Sequence, residues 1–216
     1  MNNSLQEYLN FANKLADVAG ITSMEYFRTS LSIDNKSDES PVTIADKNTE
    51  LKIRSLIENE YPDHGILGEE FDSVNPDAEF IWVIDPIDGT RSYIAGHKDF
   101  GNLISLTQNK KPIIGIINCP AHDERWVGAK NQSSTVNQQT VNTSNVTEIE
   151  DAYIFTSGLY FDEPHLRNAV DKIRNKVRYF RYGGDCYMYG MVASGLIDIV
   201  IEDTLKAHDY MALVNV

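Results

Sequence analysis

The chain has 216 residues, 42% of them hydrophobic, which is enough to bury a full core in one large domain or two fused lobes and too apolar for a disordered chain. A formal net charge of −13 argues against a surface for nucleic acid or for an anionic membrane, which would need a basic patch. An acidic protein still takes an anionic small molecule when divalent cations lie between the two. Two cysteines, Cys119 and Cys186, stand far apart with no C-x-x-C spacing, so neither a disulfide framework nor a structural zinc site is indicated and reduced, buried thiols are expected. The N-terminus lacks a basic segment followed by an apolar one, and no apolar stretch approaches the roughly 20 residues that span a bilayer, so the expected compartment is the cytoplasm.

Leu5, Tyr8, Leu9, Ala12, Leu15, Ala16 and Ala19 recur at helical spacing and predict an amphipathic helix ending near Phe27. Residues 30–40 are polar and aperiodic and read as a loop or loose hairpin. Thr43 with Asp46 three positions on resembles a capping box with Asp in place of Glu. It opens a second helix running to Tyr61 and stopped by Pro62, which puts Asp46 in the first turn. A short Ile66-Leu67 strand ends in Gly68-Glu69-Glu70, and residues 80–84 form a wholly apolar run expected of a strand buried on both faces. Strand signals at 103–107, 112–119 and 125–129, joined by short turns, predict an antiparallel meander. Beyond the polar stretch 131–150 come a strand at 152–156, a helix at 164–176, a strand at 177–181, a helix at 186–194 and a strand at 197–202, the alternation of an α/β lobe. The expected organisation is an α+β lobe over residues 1–145, holding the antiparallel sheet and the acidic motifs, followed by an α/β lobe over 146–216.

Asp85-Pro86-Ile87-Asp88-Gly89-Thr90 follows the buried run at 80–84. Pro86 biases Asp85 toward an extended conformation and turns the chain, so carboxylates three residues apart can converge while the Ile87 carbonyl points to the same place. Magnesium, a hard cation, wants such an all-oxygen environment. Gly89 lets backbone approach a phosphate closely, and Thr90 brings a hydroxyl to the start of a helix, where free N–H groups favour anions. Taken alone, the run reads equally well as a surface turn with two solvated carboxylates. Two other acids weigh against that reading: Glu69 at a strand end, and Asp209, placed to N-cap a final helix that begins with Tyr210-Met211-Ala212-Leu213.

Glu69 within Gly-Glu-Glu, the Asp85-Pro-Ile-Asp88-Gly-Thr90 run and Asp209, in that order, resemble the signature set of the inositol monophosphatase family, and the resemblance extends from the N-terminal helices through Val216. It implies a layered αβαβα sugar-phosphatase fold and hydrolysis of a small phosphate monoester by a metal-activated water. Carried over, Glu69, Asp85, Asp88, Asp209 and the Ile87 carbonyl would bind two or three magnesium ions. Asp46, Thr90 and Glu69 would be the catalytic residues, the first two positioning the attacking water. Asp88 and the amides of Gly89 and Thr90 would cradle the phosphate, and Lys36 would lie in a loop flanking the metals. The chemistry agrees, because phosphoryl transfer needs mainly positioning and charge neutralisation. The resemblance also implies a homodimer.

Residues outside this set point to the substrate. Arg91 follows Thr90, as in histidinol phosphatases of the family, and Leu205-Lys206-Ala207-His208-Asp209 resembles their Leu-Lys-x-x-Asp run. Asp185, in Gly183-Gly184-Asp185-Cys186-Tyr187, stands where inositol enzymes carry a small apolar residue. Histidinol phosphate has an ammonium and an imidazole for which Asp185 and Glu202 are fitting counter-charges. Asp185 also reads as the N-cap of the helix at 186–194, and Glu202 as an exposed strand-end acid. The expected reaction is histidinol phosphate to histidinol plus phosphate, a step of histidine biosynthesis, with inositol 1-phosphate or a 3′(2′),5′-bisphosphate nucleotide as alternatives. A non-catalytic phospho-ligand binder is the remaining alternative. It arises because the resemblance implies further sheet and helix beyond the Asp209 motif, whereas this sequence stops at Val216, from which an open sheet edge is expected.

Overall fold

A computed structural model describes residues 4–30, 33–35, 41–158 and 164–216. Helix α1 (Leu5–Tyr26) opens on a capping box: Ser4 Oγ accepts the Glu7 N–H, and the Glu7 carboxylate accepts the Ser4 N–H at 2.7 Å. Its apolar stripe is buried, with Ala12, Leu15, Ala16 and Ala19 wholly enclosed. Strands β1 (Ile33–Asn35) and β2 (Pro41–Thr43) pair antiparallel, so the ends of the expected hairpin are formed. Lys36 lies outside the described residues. Helix α2 (Ile44–Glu60) starts as anticipated, with Thr43 Oγ1 accepting the Ala45 N–H and the Asp46 carboxylate accepting the Thr43 N–H.

Strands β3 (Gly65–Gly68), β4 (Phe80–Asp88), β5 (Gly101–Gln108), β6 (Lys111–Cys119), β7 (Glu124–Ala129), β8 (Thr135–Val136) and β9 (Gln139–Thr140) form one sheet in chain order. Only the β3–β4 pair is parallel. The β8–β9 hairpin sits in a stretch whose polarity reads as loop. Its turn residues Asn137 and Gln138 both have positive φ, +46° and +68°, the backbone that a two-residue hairpin requires. Helices α1 and α2 cover one face of the sheet, packing Leu15, Ile53 and Ile57 against Trp82, Ile84, Ile104, Leu106, Ile114 and Ile116. Burial of each such side chain stabilises by about 1.5–3 kcal/mol. A separate cluster, with Leu103, Ile117 and Trp126, receives Cys186, Ala193 and Ala212 from the C-terminal part of the chain. Both cysteines are buried and free.

Strand β4 runs four residues further than the apolar run suggests. Asp85 faces Leu103 and Asp88 faces Gly101, so β4 carries one extra residue there, a bulge. Pro86 has no N–H to give to a ladder, and a bulge is where a strand tolerates that. The acidic motif is therefore the end of the strand and not a turn after it. Helix α3 (Thr90–Ile94) follows at once.

A second sheet is wholly parallel, in the order β11–β10–β12. Its chain order is β10 (Tyr153–Thr156), helix α4 (Pro164–Arg174), β11 (Tyr179–Tyr182), helix α5 (Tyr187–Ala193) and β12 (Ile199–Val200), the expected alternation with a shorter last strand. Helix α6 (Ala207–Tyr210) and a 3-10 turn, Leu213–Asn215, complete the described chain. The segment lies with its backbone directly on β6 and β7: a Cβ on Gly115 would come within 1.9 Å of the Ala212 carbonyl oxygen. No helix among the described residues is long and apolar enough to cross a membrane.

Candidate active site

The bulge at the end of β4 fixes the site. Asp85 is 2% exposed, and its Oδ1 accepts the Ile87 N–H at 3.0 Å. The Pro86 carbonyl accepts from Asn102 Nδ2 at 2.7 Å, and the Ile87 carbonyl accepts from Thr90 Oγ1 at 3.1 Å. Gly89, with φ +80°, makes the left-handed bend that starts α3.

Around this bend one carboxylate oxygen each from Asp85, Asp88 and Asp209 lie within 4.8 Å of one another. Glu69, just past the end of β3, is hydrogen-bonded to the Asp85 carboxyl. Burial first, then the charges of Glu69, Asp88 and Asp209, push the Asp85 carboxyl well above the usual range. Asp88 is pushed up to about 8 by burial and by Asp185, while a 2.7 Å bond from the Cys186 N–H opposes the shift. Carboxylates this close cannot all ionise unless a cation joins them, and an all-oxygen donor set suits a hard divalent ion. The residues present therefore fit magnesium.

Asp46 is fully buried, its Oδ2 accepting the Thr43 hydroxyl at 2.6 Å and the Thr43 N–H at 2.8 Å. Its Oδ1 faces Thr90 Oγ1 at 3.4 Å. The two residues, 44 apart in sequence, thus meet. Burial raises the Asp46 pKa, the Thr43 hydrogen bonds lower it, and the charge of Glu69 raises it again.

Two sequence expectations are corrected. Asp209 does not cap the final helix. It is the third residue of α6, where its Oδ2 accepts the Lys206 N–H at 2.6 Å, because the helix begins three residues earlier than the apolar run suggests. Asp185 does not cap α5 either. Gly183, Gly184 and Asp185 all have positive φ, which delays the helix, and Cys186 occupies the cap position without a capping bond from its side chain. The Asp185 carboxylate instead accepts Ser92 Oγ at 2.5 Å and lies against Gly89, where a Cβ would come within 2.9 Å of it. Burial raises the Asp185 pKa, the Ser92 bond lowers it, and the nearby Asp99 and His97 act in opposite directions.

Glu202 lies just past β12, accepting Ser157 Oγ and, at 2.5 Å, Tyr189 Oη. Burial, then Glu202, raises the Tyr189 pKa, and the charges of Asp88 and Asp209 add to the effect. Arg91 is exposed on α3, and its side chain has no partner among the described residues. Sequence reasoning missed Ser92 and Asp99. Asp99 binds His122 Nε2 at 2.8 Å and His97 Nδ1 at 3.4 Å, and His122 stacks on Tyr187 at 4.2 Å. Only the His-x-Asp spacing of His97 and Asp99 hinted at it. A cavity of about 680 Å³ beside α1, lined by Asn13, Asp17 and Arg125, holds none of these groups.

Fold and carboxylate set together resemble those of the class of metal-dependent phosphomonoesterases. Within it the chain belongs to the inositol monophosphatase family, which it matches over residues 4–216. It is 39% identical over 214 residues to the chloroplastic bifunctional phosphatase IMPL2 of Arabidopsis thaliana, an alignment covering 98% of this chain and 62% of that protein. The chain thus spans less than two thirds of that relative's length. It is 35% identical over 210 residues to a histidinol-phosphatase of Chlorobaculum parvum, covering 96% of this chain and 81% of that one. Among solved structures, an inositol monophosphatase from Zymomonas mobilis superposes with a TM-score of 0.88 at 41% identity, over 99% of this chain and 83% of the other.

Proposed function

We propose that the protein is a Mg2+-dependent phosphomonoesterase that hydrolyses histidinol phosphate to histidinol and phosphate, a step of histidine biosynthesis. The convergence of Asp85, Asp88 and Asp209 within 4.8 Å, beside Glu69, carries the reading of the reaction. In this reading Glu69, Asp85, Asp88, Asp209 and the Ile87 carbonyl hold two or three magnesium ions. Such ions supply charge neutralisation and acidify water when bound.

The chain's own residues then do the positioning. Asp46, held rigid by two bonds from Thr43, aligns the Thr90 hydroxyl, and the two together orient the attacking water. Asp88, Gly89 and Thr90 receive the phosphate at the start of α3, where the left-handed bend at Gly89 turns the chain into the helix.

The substrate rests on Asp185. Its partly buried carboxylate lies against Gly89, beside the proposed phosphate cradle, with a second acid, Asp99, raising its pKa further. A cationic alcohol would relieve that excess of negative charge, whereas an uncharged ring would not. Glu202 and Arg91 complete the proposed binding set. The similarity to the histidinol-phosphatase of Chlorobaculum parvum supports the same choice. Inositol 1-phosphate is the second reading. It draws on the Zymomonas mobilis structure and on the Ser92 bond to Asp185, which shows that this carboxylate accepts a hydroxyl. The proposal extends to a cytoplasmic homodimer, supported by the family resemblance and checked by sedimentation.

Phosphate release with Mg2+ should be greatest on histidinol phosphate when it is compared with inositol 1-phosphate and adenosine 3′,5′-bisphosphate. A preference for either of the last two overturns the substrate, and no Mg2+-dependent release from any of the three overturns the reaction.

A further inference from the structure

The segment that presents Glu69 is tied to α2 by groups that take no part in the proposed reaction. Glu50 follows Asp46 by one helical turn and Arg54 follows Glu50 by another, so the three share one face of α2. Arg54 Nε donates to Glu50 Oε1 at 2.7 Å, and the two side chains are 7% and 0% exposed. Each then reaches beyond the end of β3. Glu50 Oε2 accepts the Glu70 N–H at 2.8 Å, and Arg54 Nη2 donates to the Phe71 carbonyl at 2.9 Å, with its guanidinium 5.8 Å from the centre of the Phe71 ring. On the near side of Glu69, Gly68 leaves the Glu50 carboxylate its place: a Cβ on Gly68 would lie 1.9 Å from Glu50 Oε1. The backbone is therefore held just after Glu69 by α2, while Gly68, just before it, pairs with Ile84 of β4.

A buried ion pair is a weak way to stabilise a fold, because desolvation offsets much of the attraction, and apolar side chains of similar volume often serve packing as well. What the pair supplies here is direction: two charge-assisted bonds to main-chain groups within two residues of Glu69. The geometry points to Glu50 and Arg54 as a positioning pair that holds the Glu69 carboxylate against Asp85 and thereby sets the ion affinity of the site. This rests on the reading that Glu69 belongs to the magnesium site.

The test is Mg2+ binding to the full chain by calorimetry. Two variants separate geometry from charge. The double variant Glu50→Gln/Arg54→Met removes both buried charges at once and keeps an oxygen for the Glu70 N–H. Gly68→Ala keeps both charges and displaces the Glu50 carboxylate. Each is expected to weaken Mg2+ binding about 10- to 100-fold, the range for groups that orient a metal ligand. Circular dichroism should stay unchanged, as should the KM for the phosphate ester at saturating Mg2+, and amide exchange at Glu70 should quicken. A folded variant of either kind that binds Mg2+ as the wild type does overturns the positioning role. Should the double variant fail to fold, Gly68→Ala decides alone. A wild-type chain that takes up no Mg2+ instead overturns the metal-site reading, which keeps the two failures apart.

Discussion

Replacing Asp88 by Asn should abolish activity and, in the presence of a chelator, make the protein more stable. The Asp88 carboxyl is pushed up to about 8, first by burial and then by Asp185. An unfolded carboxyl titrates near 3.9, so the folded state holds this proton more tightly than the unfolded one. Stability from this group is therefore fully present below about pH 4 and falls as the pH rises toward 8. At pH 7 the full shift would correspond to about 4 kcal/mol. Partial exposure of Asp88, and sharing of protons among neighbouring carboxyls, reduce that to about 2 kcal/mol. Asn is neutral at every pH and its carbonyl can still accept the Cys186 N–H, now 2.7 Å from the carboxylate. For a chain of this size about 2 kcal/mol raises Tm by roughly 4–8 °C. Thermal melts in EDTA between pH 4 and 8.5 measure the gap between variant and wild type, which should open with rising pH and close toward pH 4. Excess Mg2+ should raise the Tm of the wild type more than that of the variant. A variant that melts at or below the wild type in EDTA at pH 7 refutes the electrostatic reasoning, and one that keeps full Mg2+-dependent activity refutes the site.

Asp46→Asn should leave Mg2+ affinity intact and lower kcat by about 10²- to 10⁴-fold, the usual contribution of a group that handles the reacting proton; a loss below tenfold contradicts its role. Gly115→Ala forces the backbone at Ala212 to move, since the new Cβ would lie 1.9 Å from its carbonyl oxygen. Overpacking of this kind costs about 1–3 kcal/mol, so the melting temperature should fall by several degrees, and an unshifted melt would show that the C-terminal segment does not rest on the sheet as described. His64 is stacked between Tyr61 and Phe80, and its Nδ1 accepts the Trp82 Nε1–H at 3.1 Å, so it must be neutral. Burial, the largest cause, lowers its pKa, and the contribution is present above about pH 6.5 and lost as the pH falls below it. An NMR titration should place the ring below 6.5; a value at or above that would mean the Trp82 bond does not hold in solution.

Most of the scaffold was legible because it depends on neighbours within a few positions. The apolar period of α1, the Thr43–Asp46 capping box and the β5–β7 meander each follow from short-range rules, and the structure has them where expected. Short-range rules failed where two local readings were equally good. Asp209 and Asp185 both looked like N-caps. Whether they were depended on where the helix began, which was set for one by the extended backbone of Lys206 and for the other by three consecutive residues at positive φ. The β8–β9 hairpin was missed because neither of its turn residues is glycine.

By itself the sequence determined the family: the order of Glu69, Asp85, Asp88, Thr90 and Asp209 points to one whose match runs over residues 4–216. Only the tertiary structure decided that Asp85, Asp88 and Asp209 crowd to within 4.8 Å, that Asp85 and Asp88 lose their ordinary acidity, that Asp185 turns toward Ser92 and Gly89, and that Glu50 and Arg54 bond the backbone just past Glu69. Charge repulsion and desolvation depend on distance and burial, and for groups up to 124 positions apart, as Asp85 and Asp209 are, both exist only once the sheets have packed.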